Sequence, residues 1–187
     1  MNKRTFIVAA LAAAVSGQAQ ALDLRDWGKK YNSASQRFVV LSEFSNAAVL
    51  DKETQLVWFR TWPNATTEWN SARDSCANSS VGGRKGWRLP YLHELMSLID
   101  PNVVPAANGD TKLPQGHPFA NSAPQNGLGY VAYWTETWDK ISVLNATGAA
   151  YAQVWRVDLE TGDTSKGSPY SDYRFVCVRS GAPLAEY

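Results

Sequence analysis

Ala47-Ala48-Val49-Leu50-Asp51-Lys52-Glu53-Thr54-Gln55-Leu56-Val57-Trp58-Phe59 reads as two apolar runs around one polar pentapeptide. Apolar runs of four residues bounded by turn formers are the signature of paired strands, so residues 47–59 predict a hairpin with a polar loop. A further run, Phe38-Val39-Val40-Leu41, precedes it, and Pro63 and Asn64 break the strand that follows. Residues 22–45 are assigned to an N-terminal extension and residues 46–187 to the domain proper.

Beyond Thr67 the period changes. Trp69, Ala72 and Cys76 stand at i, i+3 and i+7, which places them on one helical face while Glu68, Arg73 and Asp74 stay solvated. Thr66 or Thr67 is the expected cap, and Asn78-Ser79-Ser80 with Gly82 and Gly83 ends the helix. A second helix follows Pro90, with Leu92, Leu95, Met96 and Ile99 on one stripe and Pro101 closing it. Residues 101–129 hold five prolines and no apolar period, so they predict a long loop. Residues 131–138, 152–159 and 173–179 are β-rich, with a turn at Glu160-Thr161-Gly162-Asp163. Tyr173, Phe175 and Cys177 alternate with Val176 and Val178, which predicts a central last strand. Two helices, a long loop and a mixed, mainly antiparallel sheet make the chain α+β.

The 187 residues are 44% hydrophobic and 19% charged, a composition that excludes a disordered or collagen-like chain. A formal charge of +1 argues against nucleic acid as a partner. Lys3 and Arg4 precede an apolar run from Phe6 to Val15 and the small-residue pattern Ala19-Gln20-Ala21. That is the pattern of a signal peptide over residues 1–21, too short for a spanning helix of about 20 apolar residues. Cleavage after Ala21 leaves 166 of the 187 residues, periplasmic or secreted, with no membrane association; a retained anchor is the alternative.

Export gives the two cysteines a meaning. An oxidising compartment favours a disulfide, and Cys76 with Cys177 is the one intramolecular pairing available. A redox or catalytic thiol would need a neighbouring base or a Cys-x-x-Cys pattern, and neither occurs. His93 and His117 lack the paired spacing of a zinc site, and no metal or cofactor is expected.

Four segments recur in one order: Ala48–Trp58, Gly86-Trp87-Arg88-Leu89-Pro90 with Glu94-Leu95, Tyr133-Trp134-Thr135, and Arg174-Phe175-Val176-Cys177-Val178-Arg179. The ordered set resembles the C-terminal domain family of the Legionella collagen-like protein. That resemblance implies a C-type-lectin-like fold related to the formylglycine-generating enzyme type, over about residues 46–180. It also implies a disulfide from the first helix to the last strand, as Cys76 and Cys177 would supply. One departure is plain: Tyr91 stands where the family has Thr, so the Thr-x-x-Glu capping box of the second helix keeps Glu94 and loses its hydroxyl. Packing of Pro90 and Tyr91 is the expected substitute.

The resemblance implies adhesion and polysaccharide binding, not turnover. The expected function is therefore an exported recognition domain for carbohydrate, including sulfated or acidic polysaccharide. Flat aromatic faces suit sugar rings and polar side chains suit their hydroxyls. Tyr130, Trp134, Trp138, Asn145 and Arg156 are the expected ligand-binding residues, while Trp58, Trp69, Trp87 and Trp155 are assigned to the core. Acidic glycans would favour Arg84, Lys85, Arg156, Lys166 or Arg174. The calcium-dependent lectin triplets are absent, Trp138-Asp139 being the nearest approach. An enzyme of the formylglycine-generating type would need the sulfurs that the bridge consumes. A glycosidase would need a carboxylate pair such as Glu136 with Asp139 or Asp158. The remaining alternative is a protein-binding subunit of a secreted or pilus-type assembly.

Overall fold

A computed structural model describes residues 30–105, 110–122, 132–144 and 150–181. The expected signal peptide, Tyr130 and Asn145 lie outside these residues.

Two antiparallel sheets replace the expected single mixed one. The first has the order β1-β2-β3-β7, from β1 (Phe38–Leu41), β2 (Ala48–Asp51), β3 (Leu56–Phe59) and β7 (Val178–Ser180). The second has the order β4-β5-β6, from β4 (Ala132–Leu144), β5 (Ala150–Asp158) and β6 (Thr164–Gly167). Parallel pairing among the described residues is confined to the isolated bridges Thr61–Ala120 and Tyr133–Arg174.

The β2–β3 hairpin forms as its sequence predicts. Asp51 organises the turn: its carboxylate accepts the Glu53 N–H at 3.0 Å and the Thr54 hydroxyl at 2.9 Å, and its carbonyl accepts the Gln55 N–H at 2.8 Å. All eight residues of the two strands are buried, so both faces of this sheet are covered. Residues 34–41 belong to the same unit. Helix α1 (Ala34–Arg37) runs into β1, which pairs with β2, and Arg37 sets two guanidinium nitrogens on Asp51 at 2.9 and 2.8 Å. The same guanidinium bonds the Ser97 carbonyl at 2.8 Å and Glu53 at 3.0 Å. A buried ion pair stands only when its remaining hydrogen bonds are filled, and here they are.

Helix α2 (Trp69–Asn78) buries the predicted face of Trp69, Ala72 and Cys76. Its cap differs from expectation. Thr67 is engaged in a bridge to Tyr173, and the Trp69 N–H is taken by the Pro169 carbonyl at 3.0 Å. Helix α3 (Leu92–Met96) is short, and the turn after it carries Leu98 into the core while Leu92, Met96 and Ile99 pack partly buried against it. At its start Pro90 is buried, and hydrogen bonds add to the expected packing. Glu94 still accepts the Tyr91 N–H at 2.8 Å, and a hydroxyl from β4 satisfies another donor of the first turn, Thr137 accepting the Leu92 N–H at 2.9 Å.

The described part of the 101–129 segment is pinned, with Leu113, Phe119 and Ser122 buried and Ala120 bonded on both sides to Arg60 and Trp62. The last strand differs from expectation in pairing. Residues 178–180 form the edge strand of the first sheet, yet Arg174 to Val178 are all buried because this segment runs between the two sheets. Cys177 offers its carbonyl to Phe59 in one, and Arg174 bonds Ala132 and Trp134 in the other. The Cys76–Cys177 disulfide, with Cα atoms 5.4 Å apart across 101 positions, ties α2 to this seam.

Candidate functional site

The second sheet is where regularity fails. Pairing of β4 with β5 slips between Trp134 and Trp138 and again between Asp139 and Val143. A bulge of this kind bends a strand and re-aims its side chains, and bulges concentrate near binding sites. Here the slip spans Thr135, Glu136 and Thr137, and brings them against α2 and the Arg88–His93 corner.

Trp69 lies buried under this bulge, its indole N–H donated to the Thr135 carbonyl at 2.8 Å. Trp138 stands edge-on to it, ring centroids 4.7 Å apart at 73°, and remains 39% exposed. The buried ring fixes the exposed one without covering it. Arg73, one turn along α2, places its guanidinium 5.1 Å from the Trp69 ring centre. Tyr91, 43% exposed, extends the surface on the other side; Arg88 lies 4.9 Å from its ring centre and His93 stacks parallel to it.

Glu136 is the polar group of this face. Its backbone N–H goes to the Pro90 carbonyl at 2.7 Å, while its carboxylate Oε2 is buried and has no hydrogen-bond partner. Burial raises its pKa, opposed by the charges of Arg73 and Arg88. Arg88 does not neutralise it directly, because both its terminal nitrogens bond Glu94 at 2.7 Å. Burial pushes Glu94 upward, but the Arg88 hydrogen bonds, the Tyr91 N–H and the Arg88 charge together hold its carboxyl below the ordinary range. Glu94 is thus spent on the corner, and Glu136 keeps a free acceptor.

The expected site residues divide. Trp138 lies on this face. Trp134 is corrected to the core: it is 0% exposed, its indole N–H bonds the Thr67 carbonyl at 2.8 Å and Tyr173 covers it edge-on at 4.8 Å, so it offers no face to a ligand. Arg156 lies 4.0 Å from the Tyr173 ring centre and donates to Ser165 at 2.7 Å. Trp155 moves the other way, from core to half-buried, with the Lys166 ammonium 4.8 Å from its ring centre and paired to Asp139 at 2.6 Å. Trp58, Trp69 and Trp87 are buried as expected. In the sequence Tyr91 stands out only as the departure in the capping box, Arg73 only as a solvated helix residue and Glu136 only as half of a carboxylate pair; none of these signals points to a shared face.

Both cysteines are in the bridge, which leaves no thiol for oxidation chemistry. Among the described residues no group of three or more His, Cys, Asp or Glu side chains is arranged to hold a metal ion. Among the same residues no helix is long and apolar enough to cross a membrane, and the disulfide accords with an oxidising compartment.

No curated protein and no solved structure matches the chain. Its sequence fits the Lcl C-terminal domain over residues 47–179, from the β2–β3 hairpin to the last strand of the first sheet, well over half of the chain. The chain therefore belongs to the Lcl C-terminal domain family.

Proposed function

We propose that this chain is an exported, C-type-lectin-like recognition domain that binds carbohydrate without turning it over, on the face formed by Trp138, Tyr91, Glu136 and Arg73. Membership of a family named for a surface collagen-like protein supports a binding role in adhesion. The observation that carries the reading is the pairing of the exposed Trp138 ring with the unpartnered Glu136 Oε2 on one bulged strand. A sugar ring needs both an apolar platform and acceptors for its hydroxyls, and a carboxylate is the stronger acceptor. Arg73 adds a donor at the rim, its side chain 46% exposed and bonded only to the neighbouring Asp74 among the ion pairs described.

The test is a glycan array with the mature chain, followed by affinity measurement on the best ligand for Trp138→Ala and Glu136→Gln. Each variant should lose at least tenfold in affinity while keeping the wild-type circular dichroism. Silence across neutral, acidic and sulfated glycans, or unchanged affinity in both variants, contradicts the reading. Binding of a surface protein through the same two residues would make the chain a protein-recognition subunit instead.

A further inference from the structure

We propose that Arg174 anchors a second site, apart from the Trp138 face, that takes one carboxylate group of a ligand. Arg174 is 4% exposed and lies at the seam between the sheets. A buried cation is ordinarily matched by an acid, because desolvating an unpaired charge is costly. The other buried arginine among the described residues obeys that rule, Arg37 being gripped by Asp51 and Glu53. Arg174 does not: among the described residues it makes no ion pair. Its partners are neutral oxygens, the Asn121 carbonyl at 2.8 Å and the Asn64 side chain at 3.4 Å, both reached by one terminal nitrogen, and its Nε–H is buried with no acceptor at all. The adjoining sequence does not supply the missing acid either, since residues 123–131 contain no Asp or Glu.

The surroundings of the guanidinium are polar and aromatic, and the exposed Asn64 is the partner nearest solvent. Tyr133 lies beneath it, 5.5 Å from ring centre to guanidinium carbon, with its hydroxyl held by the Ser122 carbonyl at 2.8 Å. Asn121 adopts a left-handed backbone with φ of 60°, which asparagine tolerates better than most residues, and its carbonyl is the one that meets Arg174. Asn64 is exposed and sits above the group at the outer limit of hydrogen-bond distance, where an incoming acceptor can replace it. An oxyanion placed there receives the free Nε–H and supplies the counter-charge that the described residues do not. A carboxylate matches the planar fork of the guanidinium best.

The probes are acetate and galacturonate, with galactose and sodium chloride at matched ionic strength as controls, read on the Arg174 Nε–H resonance of the mature chain by heteronuclear NMR. Saturable shifts are expected with acetate and galacturonate and none with galactose or chloride. Galacturonate bound at least tenfold more tightly assigns the carboxylate to a sugar acid, whereas equal binding assigns it to a small free acid. Because Arg174 is buried and its removal would threaten folding, the decisive variant is Asn64→Asp, which sets a carboxylate on the exposed side of the group. It should shift the Arg174 resonance without added anion, raise the melting temperature and weaken acetate binding at least tenfold. The proposal is overturned by an absent response, by the same response to chloride, or by an Asn64→Asp protein that titrates like the wild type.

Discussion

The two sheets of this domain are assembled on opposite terms. In the first, three strands of four residues pair without a register slip, both faces are covered at β2 and β3, and the buried Arg37–Asp51 ion pair has its hydrogen bonds filled by Asp51, Glu53 and Ser97. In the second, β4 slips twice against β5, a tryptophan stays half out of its packing, and a carboxylate oxygen lies buried without a partner. Buried polar atoms without a partner occur in both sheets, Trp58 Nε1 and Arg179 Nε in the first and Glu136 Oε2 in the second; of these, Glu136 Oε2 lies on an irregular strand beside an exposed ring, where a ligand can use it. The contrast separates scaffold from recognition surface within a single core.

The largest effect should come from breaking the scaffold. Asp51→Ala leaves the Arg37 guanidinium with Glu53 and the Ser97 carbonyl and removes the carboxylate acceptors of the hairpin turn, and loss of one partner of a buried pair costs about 3–5 kcal/mol. Urea denaturation should show that loss in a single transition, because the seam of residues 174–178 joins both sheets. A second sheet that stays folded while the first melts would divide what we describe as one core.

A smaller effect is expected where the regions meet. Trp69→Phe keeps the ring beneath Trp138 and deletes the N–H that satisfies the buried Thr135 carbonyl, at a cost of about 1–3 kcal/mol. It should also weaken glycan binding more than its effect on stability would suggest, since the bulge that aims Glu136 and Trp138 hangs on that bond. A variant destabilised but unaltered in affinity would place the bulge outside the binding surface.

The smallest effect is one of sign. A carboxyl whose pKa is raised in the folded state penalises folding once it is ionised, and the penalty is relieved as the pH falls through that raised value. Glu136→Gln should therefore be more stable than the wild type at neutral pH, with the difference vanishing below the ordinary Glu range. Glu94 has the opposite sign: its lowered pKa contributes stability above the ordinary range, lost as the pH falls through the folded value. Thermal melts of Glu136→Gln and Glu94→Gln across acid pH should move in opposite directions relative to the wild type. Parallel movement would contradict the division between a spent and a free carboxylate.

Much of the scaffold was legible in the sequence because its signals are local. The apolar runs around Asp51–Gln55, the Trp69–Ala72–Cys76 face and the single possible cysteine pairing each carry their own periodicity or arithmetic. What was hidden depends on partners distant in the chain. No local pattern reveals that Thr137 would cap α3 across 45 positions, or that Pro169 would meet the first N–H of α2. The tryptophans illustrate the limit. The sequence assigns Trp155 to the core and Trp134 to ligand binding, but the segment at Tyr173 and Arg174 passes over Trp134 and buries it, while Trp155 is left to Lys166. Strand period gives the two faces of a sheet; which face another segment covers is decided by topology.

The central claim is that ligand recognition belongs to the bulged strand and not to the regular sheet. The most direct measurement is the set of tryptophan indole N–H resonances during titration with the best glycan from the array. The account predicts that the signals of Trp138 and the Trp69 beneath it move saturably while those of Trp58 and Trp62, both 0% exposed in the core, stay in place. Movement at Trp58 and Trp62 with Trp138 unchanged would contradict it.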